Sequence, residues 1–124
     1  MTAREAVRSY RETWPDDVAE DTLACWVSEI EATIFFEIVA THEGAPEEPF
    51  SGISLTEGYD RELRAKEPYS KLYADYMKMK SDLIHRDTVG YETSSAVFAA
   101  SFADFADFYN RSHAPLSASN FKVR

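Results

Sequence analysis

Residues 102–115 read FADFADFYNRSHAP, and this stretch decides the fold. Phenylalanines recur every three residues from Phe102 to Phe108, which places them along one side of an α-helix. Pro115 then ends the helical pattern, because proline lacks a backbone N–H donor. Upstream, residues 69–77 read YSKLYADYM and carry a second aromatic stripe. The sequence therefore predicts two aromatic-striped helices in series, built for packing and docking.

The spacing of apolar residues predicts the bounds of both helices. The earlier helix starts near Tyr69 and ends around His85 to Asp87. The later one runs from about Val89 to Ser112, and we expect most of its aromatic stripe to lie in the core. Part of the stripe is also expected at an interface, because its aromatics do not all fit one narrow face. The stripe consists of Tyr91, Phe98, Phe102, Phe105 and Tyr109, with Phe108 beside it.

Two further helices are predicted upstream. Thr2 and Glu5 match a capping box, so a short helix should run from Ala3 to Glu12 before Trp14-Pro15 breaks it. A long helix should then run from Val18 to Glu43, with Gly44 as its stop. Its predicted stripe is Leu23, Trp26, Val27, Ile30, Ile34 and Ile38, while Glu20, Glu29, Glu31 and Glu37 are expected elsewhere and Cys25 is expected to be a buried thiol.

A segment rich in glycine and proline, residues 44–68, separates the second and third helices. Loops of this length in small domains are usually functional or have minor structure of their own. Its apolar residues favour an interaction loop over a plain surface crossover, although they are also spaced to form a short strand or to tuck back onto the helices. The candidate contact residues here are Phe50, Ile53, Leu55 and Tyr59.

Length and composition predict one all-α domain. The chain has 124 residues, 44% of them hydrophobic, and includes 2 Trp, 7 Tyr and 8 Phe, enough for a packed core. We expect a small helical bundle of three main helices plus a short N-terminal helix, with a long loop between helices 2 and 3. Residues 1–115 form this domain, and residues 116–124 form a short, mildly basic tail.

The charge argues against a protein that grips nucleic acid. The net charge is −9, and the 13 basic residues are scattered among 22 acidic ones, whereas phosphate binding usually shows as clustered Lys and Arg. An acidic wall past which DNA slides remains open. A single cysteine excludes an internal disulfide. The polar N-terminal residues lack the apolar region of a signal peptide, so we expect a soluble protein made in a cytoplasm with no membrane contact.

The sequence contains no complete catalytic or metal-binding motif. His42-Glu43 lacks the second histidine of a zinc-protease motif, since Pro46 occupies that position. The chain has no nucleophile elbow and no phosphate loop. His42, His85 and His113 each lie near a helix end, where they can interact with the last carbonyls. We therefore expect no enzyme, no catalytic residue, no cofactor and no metal.

Four segments stand out together: residues 26–31 (WVSEIE), the apolar run from Ile34 to Ile38 with residues 41–44 (THEG), residues 68–76 (PYSKLYADY) and residues 108–115 (FYNRSHAP). Together they resemble small structural proteins of tailed bacteriophages, the head–tail connectors or adaptors. Their order and spacing cover nearly the whole chain, and residues 82–93 depart from the family, which is usually richer there in Asn and Tyr.

The resemblance implies an α-helical adaptor that forms a ring of identical copies under the portal vertex of the virion. Such a ring, in the virion neck and assembled in the host cytoplasm, extends the DNA channel and docks a tail or stopper protein. Its partners would be itself, the portal protein and that tail or stopper protein. The contact elements are expected to be the loop from Ala45 to Glu67 and the tail from Leu116 to Arg124. The interface candidates are Phe50, Ile53, Leu55, Tyr59, Phe108, Phe121, Lys122 and Arg124.

Two other classes of function stay open. One is an acidic intracellular helical module that binds another protein, such as a phage-encoded inhibitor or a chaperone-like factor. The other is a small helical enzyme, which would need a cluster of titratable groups in a pocket. The sequence offers no such cluster, so it favours a structural role over an enzyme.

Overall fold

The computed structural model describes residues 1–42 and 49–113 and confirms a small all-α fold. Within these ranges the helices are α1 (Ala3–Thr13), α2 (Glu20–Glu37), α3 (Lys71–Ile84) and α4 (Thr88–Ser112). A short 3₁₀ turn, Val39–Thr41, follows α2. The predicted tail from Leu116 to Arg124 and the first part of the predicted interaction loop lie outside the described residues.

Helix α3 lies at the centre of the bundle, with α1 and α2 on one side and α4 on the other. Helices α3 and α4 form an antiparallel pair. Its register follows from three contacts: Tyr69 lies against Phe105, Ser101 Oγ donates to Asp75 Oδ2 at 2.5 Å, and Ser94 Oγ donates to Asp82 Oδ2 at 2.8 Å. Helix α2 packs on α1 and α3.

Both outer helices begin with a side-chain cap. Thr2 Oγ1 accepts from the Glu5 N–H at 3.2 Å while the Glu5 carboxylate accepts from the Thr2 N–H at 2.8 Å, so the predicted capping box is confirmed. At α4, Asp87 accepts from the Gly90 N–H at 2.9 Å. A Cβ on Gly90 would lie 2.5 Å from Asp87 Oδ2, so glycine leaves room for this cap.

A buried carboxylate joins α2, α3 and the connecting loop. Glu31 is only 2% exposed, and it accepts hydrogen bonds from Tyr73 Oη at 2.6 Å and from the Arg64 N–H at 3.0 Å. The Arg64 guanidinium also reaches it at 3.2 Å. Tyr73 Oη in turn accepts from the Ala65 N–H at 2.9 Å. Burial and the Glu31 charge raise the pKa of Tyr73, so the phenol stays protonated and keeps donating.

The described part of the long loop, residues 49–70, is irregular and packs on the helices. The Arg4 N–H donates to the Tyr59 carbonyl at 2.9 Å, and the Leu63 N–H donates to the Met1 carbonyl at 2.8 Å. Ile53 N–H donates to Ser28 Oγ at 2.9 Å. Four loop side chains lie in the core: Ile53, Tyr59, Leu63 and Ala65. The loop therefore tucks back onto the bundle, one of the outcomes that its spacing allowed.

Three sequence expectations for α2 were wrong. Its α-helical part ends at Glu37, not Glu43, because the backbone turns at Ile38 (φ −117°, ψ −63°) into the 3₁₀ turn. Cys25 is exposed. It lies about 200° around the helix from Leu23, opposite the apolar stripe. Glu31, expected away from the stripe, is buried.

Candidate interaction surfaces

Helix α4 leaves most of its surface uncovered. Only three of its side chains are buried, Ser94, Ser101 and Phe105, since α3 is its one close helical neighbour. Residues 93–103 contain no charged side chain, although 28% of the whole chain is charged. The solvent side of this stretch is small and apolar: Ala96, Ala99, Ala100 and Ala103. An uncovered, uncharged helix side on so charged a protein is typical of a contact surface.

An apolar groove of about 480 Å³ opens beside the start of α4. Its walls include Trp14, Val89 and Val97, which are 45%, 75% and 48% exposed. These three residues define what we call the Trp14 groove. Its volume falls within the range of roughly 300–1,000 Å³ typical of binding pockets.

The polar groups at the floor of the Trp14 groove are already paired. Asp82 is 4% exposed, and its two oxygens accept from Lys78 Nζ at 2.7 Å and from Ser94 Oγ at 2.8 Å. The Lys78 ammonium lies 4.6 Å from the centre of the Trp14 ring, a cation–π contact that orients the indole. The Asp82 charge is therefore paired with Lys78 beneath the groove, and the Trp14 indole forms an oriented apolar wall.

A Ser–His–Asp cluster lies next to the groove, but its geometry is structural. His85 Nε2 lies 2.9 Å from Asp17 Oδ1, and His85 Nδ1 lies 2.7 Å from the Ser81 carbonyl. A carbonyl only accepts, so Nδ1 carries a proton and cannot take one from the Ser81 hydroxyl, 3.3 Å away. Ser81 Oγ is 3% exposed and donates to Asp16 at 2.9 Å. The cluster ties the end of α3 to the segment before α2.

Titration properties of this cluster follow from its hydrogen bonds. The Asp17 carboxylate and the Ser81 carbonyl raise the pKa of His85. Burial alone would raise the pKa of Asp16, but hydrogen bonds from Tyr10, Ser81 and the Val18 N–H outweigh it and lower that pKa. The histidine thus favours its cationic form beside two carboxylates, which strengthens the tie between α3 and residues 16–17.

A second apolar patch lies at the end of α2. Phe36 is 61% exposed, and its ring centre lies 5.0 Å from that of Phe35 and 6.0 Å from that of Phe50. The Arg64 guanidinium lies 4.9 Å from the Phe35 ring centre. We call Phe35, Phe36 and Phe50 the Phe36 patch. Phe36 and the half-buried Phe50 together leave a contiguous aromatic surface exposed, and contiguous apolar surface is what marks an interaction site.

The Trp14 groove and the Phe36 patch lie toward opposite ends of the bundle. Trp14 lies six residues before Glu20, the first residue of α2. Phe36 lies sixteen residues after Glu20, which is about 24 Å along the helix axis at about 1.5 Å per residue. At the Phe36 end, His42 Nε2 lies 2.6 Å from Asn110 Oδ1 and joins the end of α2 to the last turns of α4. The molecule therefore presents two unlike apolar surfaces far apart.

The structure separates the residues that were predicted to form the interface. Leu55 is 40% exposed and Phe50 is half-buried in the Phe36 patch. Phe108 is 37% exposed and stacks on Tyr69 with 4.7 Å between ring centres. Ile53 and Tyr59, by contrast, are core residues at 7% and 4% exposure. Their interface role stays a prediction, and their burial does not favour it; Phe121, Lys122 and Arg124 lie outside the described residues.

Sequence reasoning missed the exposed groups that stand out here, Trp14, Phe36, Val89 and Val97. Each is an apolar residue that falls off the stripe of its helix or follows the end of one. That mismatch is the signal that could have found them, since apolar side chains away from the core stripe must be exposed or partnered.

The one buried side-chain N or O atom without a hydrogen-bond partner in the described ranges is His113 Nδ1. Residues 1–42 and 49–113 contain no group of three or more His, Cys, Asp or Glu side chains able to hold a metal ion. His42 Nδ1 lies 2.5 Å from the Ile38 carbonyl, which satisfies the end of α2 as expected for a histidine there. The His113 ring stacks on Tyr109 at 3.9 Å.

Comparisons with protein-family models, curated proteins and solved structures found no match for this chain. The resemblance to phage connectors therefore stays a prediction. Among the helices that the structure describes, none has both the length and the apolar character needed to cross a bilayer.

Proposed function

We propose that this protein is a structural subunit that self-associates head to tail into a ring, the head–tail connector of a tailed bacteriophage. The observation that carries the proposal is the pair of unlike apolar surfaces, the Trp14 groove and the Phe36 patch, toward opposite ends of the bundle. The order and spacing of the connector-like segments give the proposal its biological setting.

Unlike surfaces favour a ring over a two-fold dimer. A two-fold interface joins one patch to the same patch on the partner, whereas a head-to-tail interface joins two different patches and closes when the rotation per subunit fits. Phe36 lies about 24 Å along α2 from Glu20, the end of the helix that Trp14 precedes, so both surfaces can be engaged by different neighbours at once. The uncharged side of α4 adds contact area beside the groove.

The acidic character of the chain suits the wall of a DNA channel. With a net charge of −9, the protein repels the phosphate backbone, and DNA can move past it without adhesion. Portal and tail or stopper proteins would dock on the faces of the ring. In this proposal the virion neck is the site of action, and DNA is a passenger and not a ligand.

A non-enzymatic role fits the state of the polar side chains. His85 Nδ1 is protonated, so His85 cannot act as a general base toward Ser81. The buried Glu31 and Asp82 carboxylates are paired with Arg64 and Lys78. These groups stabilise the fold. A structural function therefore requires no change in their protonation or pairing.

Negative-stain electron microscopy with mass photometry, over a wide concentration range and with and without portal assemblies, tests the proposal. Wild-type protein should form closed rings with a central hole, alone or on the portal. Phe36→Asp should abolish them, because it places a charge in an apolar contact. Cys25→Asp, which adds the same charge at an exposed position of α2 away from the patch, should form rings normally. Rings that survive Phe36→Asp would remove the patch from the interface, and monomers even with portal would refute the connector.

A second candidate is the acidic protein-binding module. The observation in its favour is the Trp14 groove itself, whose apolar walls and 480 Å³ volume would also accept a segment of an unrelated protein. A chain that remains monomeric or dimeric with portal present and never enters purified virions would favour this module.

A further inference from the structure

We propose that the Trp14 groove is the receptor for residues 116–124 of a neighbouring copy. The proposal rests on the self-association proposed above and names a segment of the neighbour for the groove; the segment follows α4, whose last turns lie at the Phe36 end of the bundle. At the floor of the groove Asp82 is paired with Lys78 and Ser94, and three apolar residues on its walls are exposed. No described segment of the same chain covers the groove. Its occupant should therefore be apolar, with a charge opposite to that of the rim.

Charge complementarity points to the C-terminal segment. Residues 114–124 read APLSASNFKVR, with two cations, Lys122 and Arg124, and no acidic residue, in a chain whose net charge is −9. The lining of the Trp14 groove includes two carboxylates, Asp75 and Asp82, against one cation, Lys78, and the exposed Asp87 lies two residues before Val89. Opposite charges around an apolar contact steer the partners and fix their register.

The apolar content of the segment also matches the groove. Leu116, Phe121 and Val123 stand among small and basic residues, so an aromatic anchor is followed directly by a cation. A phenylalanine buried in a preformed apolar pocket is a common anchor of peptide binding, while adjacent charges on the rim add specificity. In this arrangement Phe121 fills the groove against Trp14 and Val97, and Lys122 faces the acidic rim.

Reach excludes the chain's own segment from most of the groove. Val97 and Val89 precede His113 by 16 and 24 residues on α4, which puts them about 24 and 36 Å away along the helix axis. Phe121 follows His113 by eight residues, which span at most about 27 Å fully extended. The segment of the same copy could touch only the near edge at Val97, so a neighbouring copy is the donor that can fill the groove.

Fluorescence anisotropy of a labelled peptide covering residues 113–124 tests the contact on the full-length protein. Val97→Lys should raise the dissociation constant at least about tenfold, because it adds an unpaired cation to an apolar wall that attracts a basic peptide. Cys25→Lys, the same charge at an exposed position of α2 outside the groove, should change it less than about twofold. Equal effects of the two variants would overturn the proposal.

A mixing experiment separates a neighbour's segment from the same copy's segment. One protein carries Val97→Lys and keeps an intact segment, and the other carries Phe121→Ala with Lys122→Glu and keeps an intact groove. We expect each alone to lose self-association and the mixture to regain a one-to-one complex in sedimentation velocity. A mixture that stays monomeric while wild-type protein assembles would refute the groove contact and leave self-association standing. Wild-type protein that stays monomeric even on portal assemblies would refute the proposed function, whatever the peptide does.

Discussion

Tyr73→Phe should lower the free energy of unfolding by about 3 kcal/mol. The Tyr73 hydroxyl donates to buried Glu31 at 2.6 Å and accepts from the Ala65 N–H at 2.9 Å, and the side chain is 0% exposed. Its loss removes a hydrogen bond to a charged acceptor, worth about 1.5–3 kcal/mol, and leaves a buried N–H unpaired at a cost of about 1–3 kcal/mol. Arg64 still holds Glu31, so the lower part of each range applies.

Tyr76→Phe is the matched control. Tyr76 lies on the same helix and also donates to a glutamate of α2, Glu29 at 2.9 Å, but this hydrogen bond is exposed. The same oxygen is removed, and water can replace it as the donor to Glu29. We expect a loss below about 1 kcal/mol, since exposed interactions contribute little net stability.

Urea unfolding followed by circular dichroism measures both losses by linear extrapolation, with a check that the slope against urea concentration is unchanged. A domain of this size has a total stability of about 5–15 kcal/mol, so a loss of 3 kcal/mol shifts the midpoint clearly. Equal losses for the two variants, or a Tyr73→Phe loss below about 1 kcal/mol, would refute the view that the Glu31 network holds the loop to the helices.

Three further predictions concern the first helix, the histidine cluster and the cysteine. Thr2→Ala should cost about 1 kcal/mol in urea unfolding by removing the capping box, while Thr13→Ala, at the other end of α1, should cost clearly less. NMR titration should give His85 a pKa above its ordinary value, and Asp17→Asn should lower it toward that value. Because the pKa is raised in the folded state, its stabilisation is complete below about pH 6.5 and is lost as the pH rises through the raised pKa; an unchanged pKa in Asp17→Asn would remove the Asp17 contact as the cause. Cys25 should react fully with Ellman's reagent without denaturant, and a thiol that reacts only after unfolding would contradict its exposure.

The fold was predictable from local signals and the surfaces were not. The capping box at Thr2 and the stripe of α4 predicted helix starts to within a residue, because caps and periodicity are written in neighbouring positions. The end of α2 depends instead on His42, which reaches back to the Ile38 carbonyl and across to Asn110 in α4. A contact between residues so distant in sequence leaves no local pattern.

The residues of the candidate surfaces were likewise predictable only where local sequence decides their exposure. The tail and loop residues were chosen for their position outside helices, yet Ile53 and Tyr59 prove to be core because backbone hydrogen bonds draw the loop onto α1 and α2. Val89 and Val97 were available in the sequence as apolar residues off the α4 stripe. Whether such residues meet another helix depends on how many neighbours α4 has, which only the packing reveals.

Because α4 has α3 as its one close helical neighbour, its stability is separable from that of the other helices. Among the described residues, α4 is held by α3 and by the side chains of Tyr69 and His42 but by no second helix, so its backbone amides should exchange with solvent faster than those of α2 and α3. A partner bound on its uncharged side would slow that exchange. Amide hydrogen exchange along α4 would thus report how much of the protein is assembled, even in a mixture where no single species can be isolated.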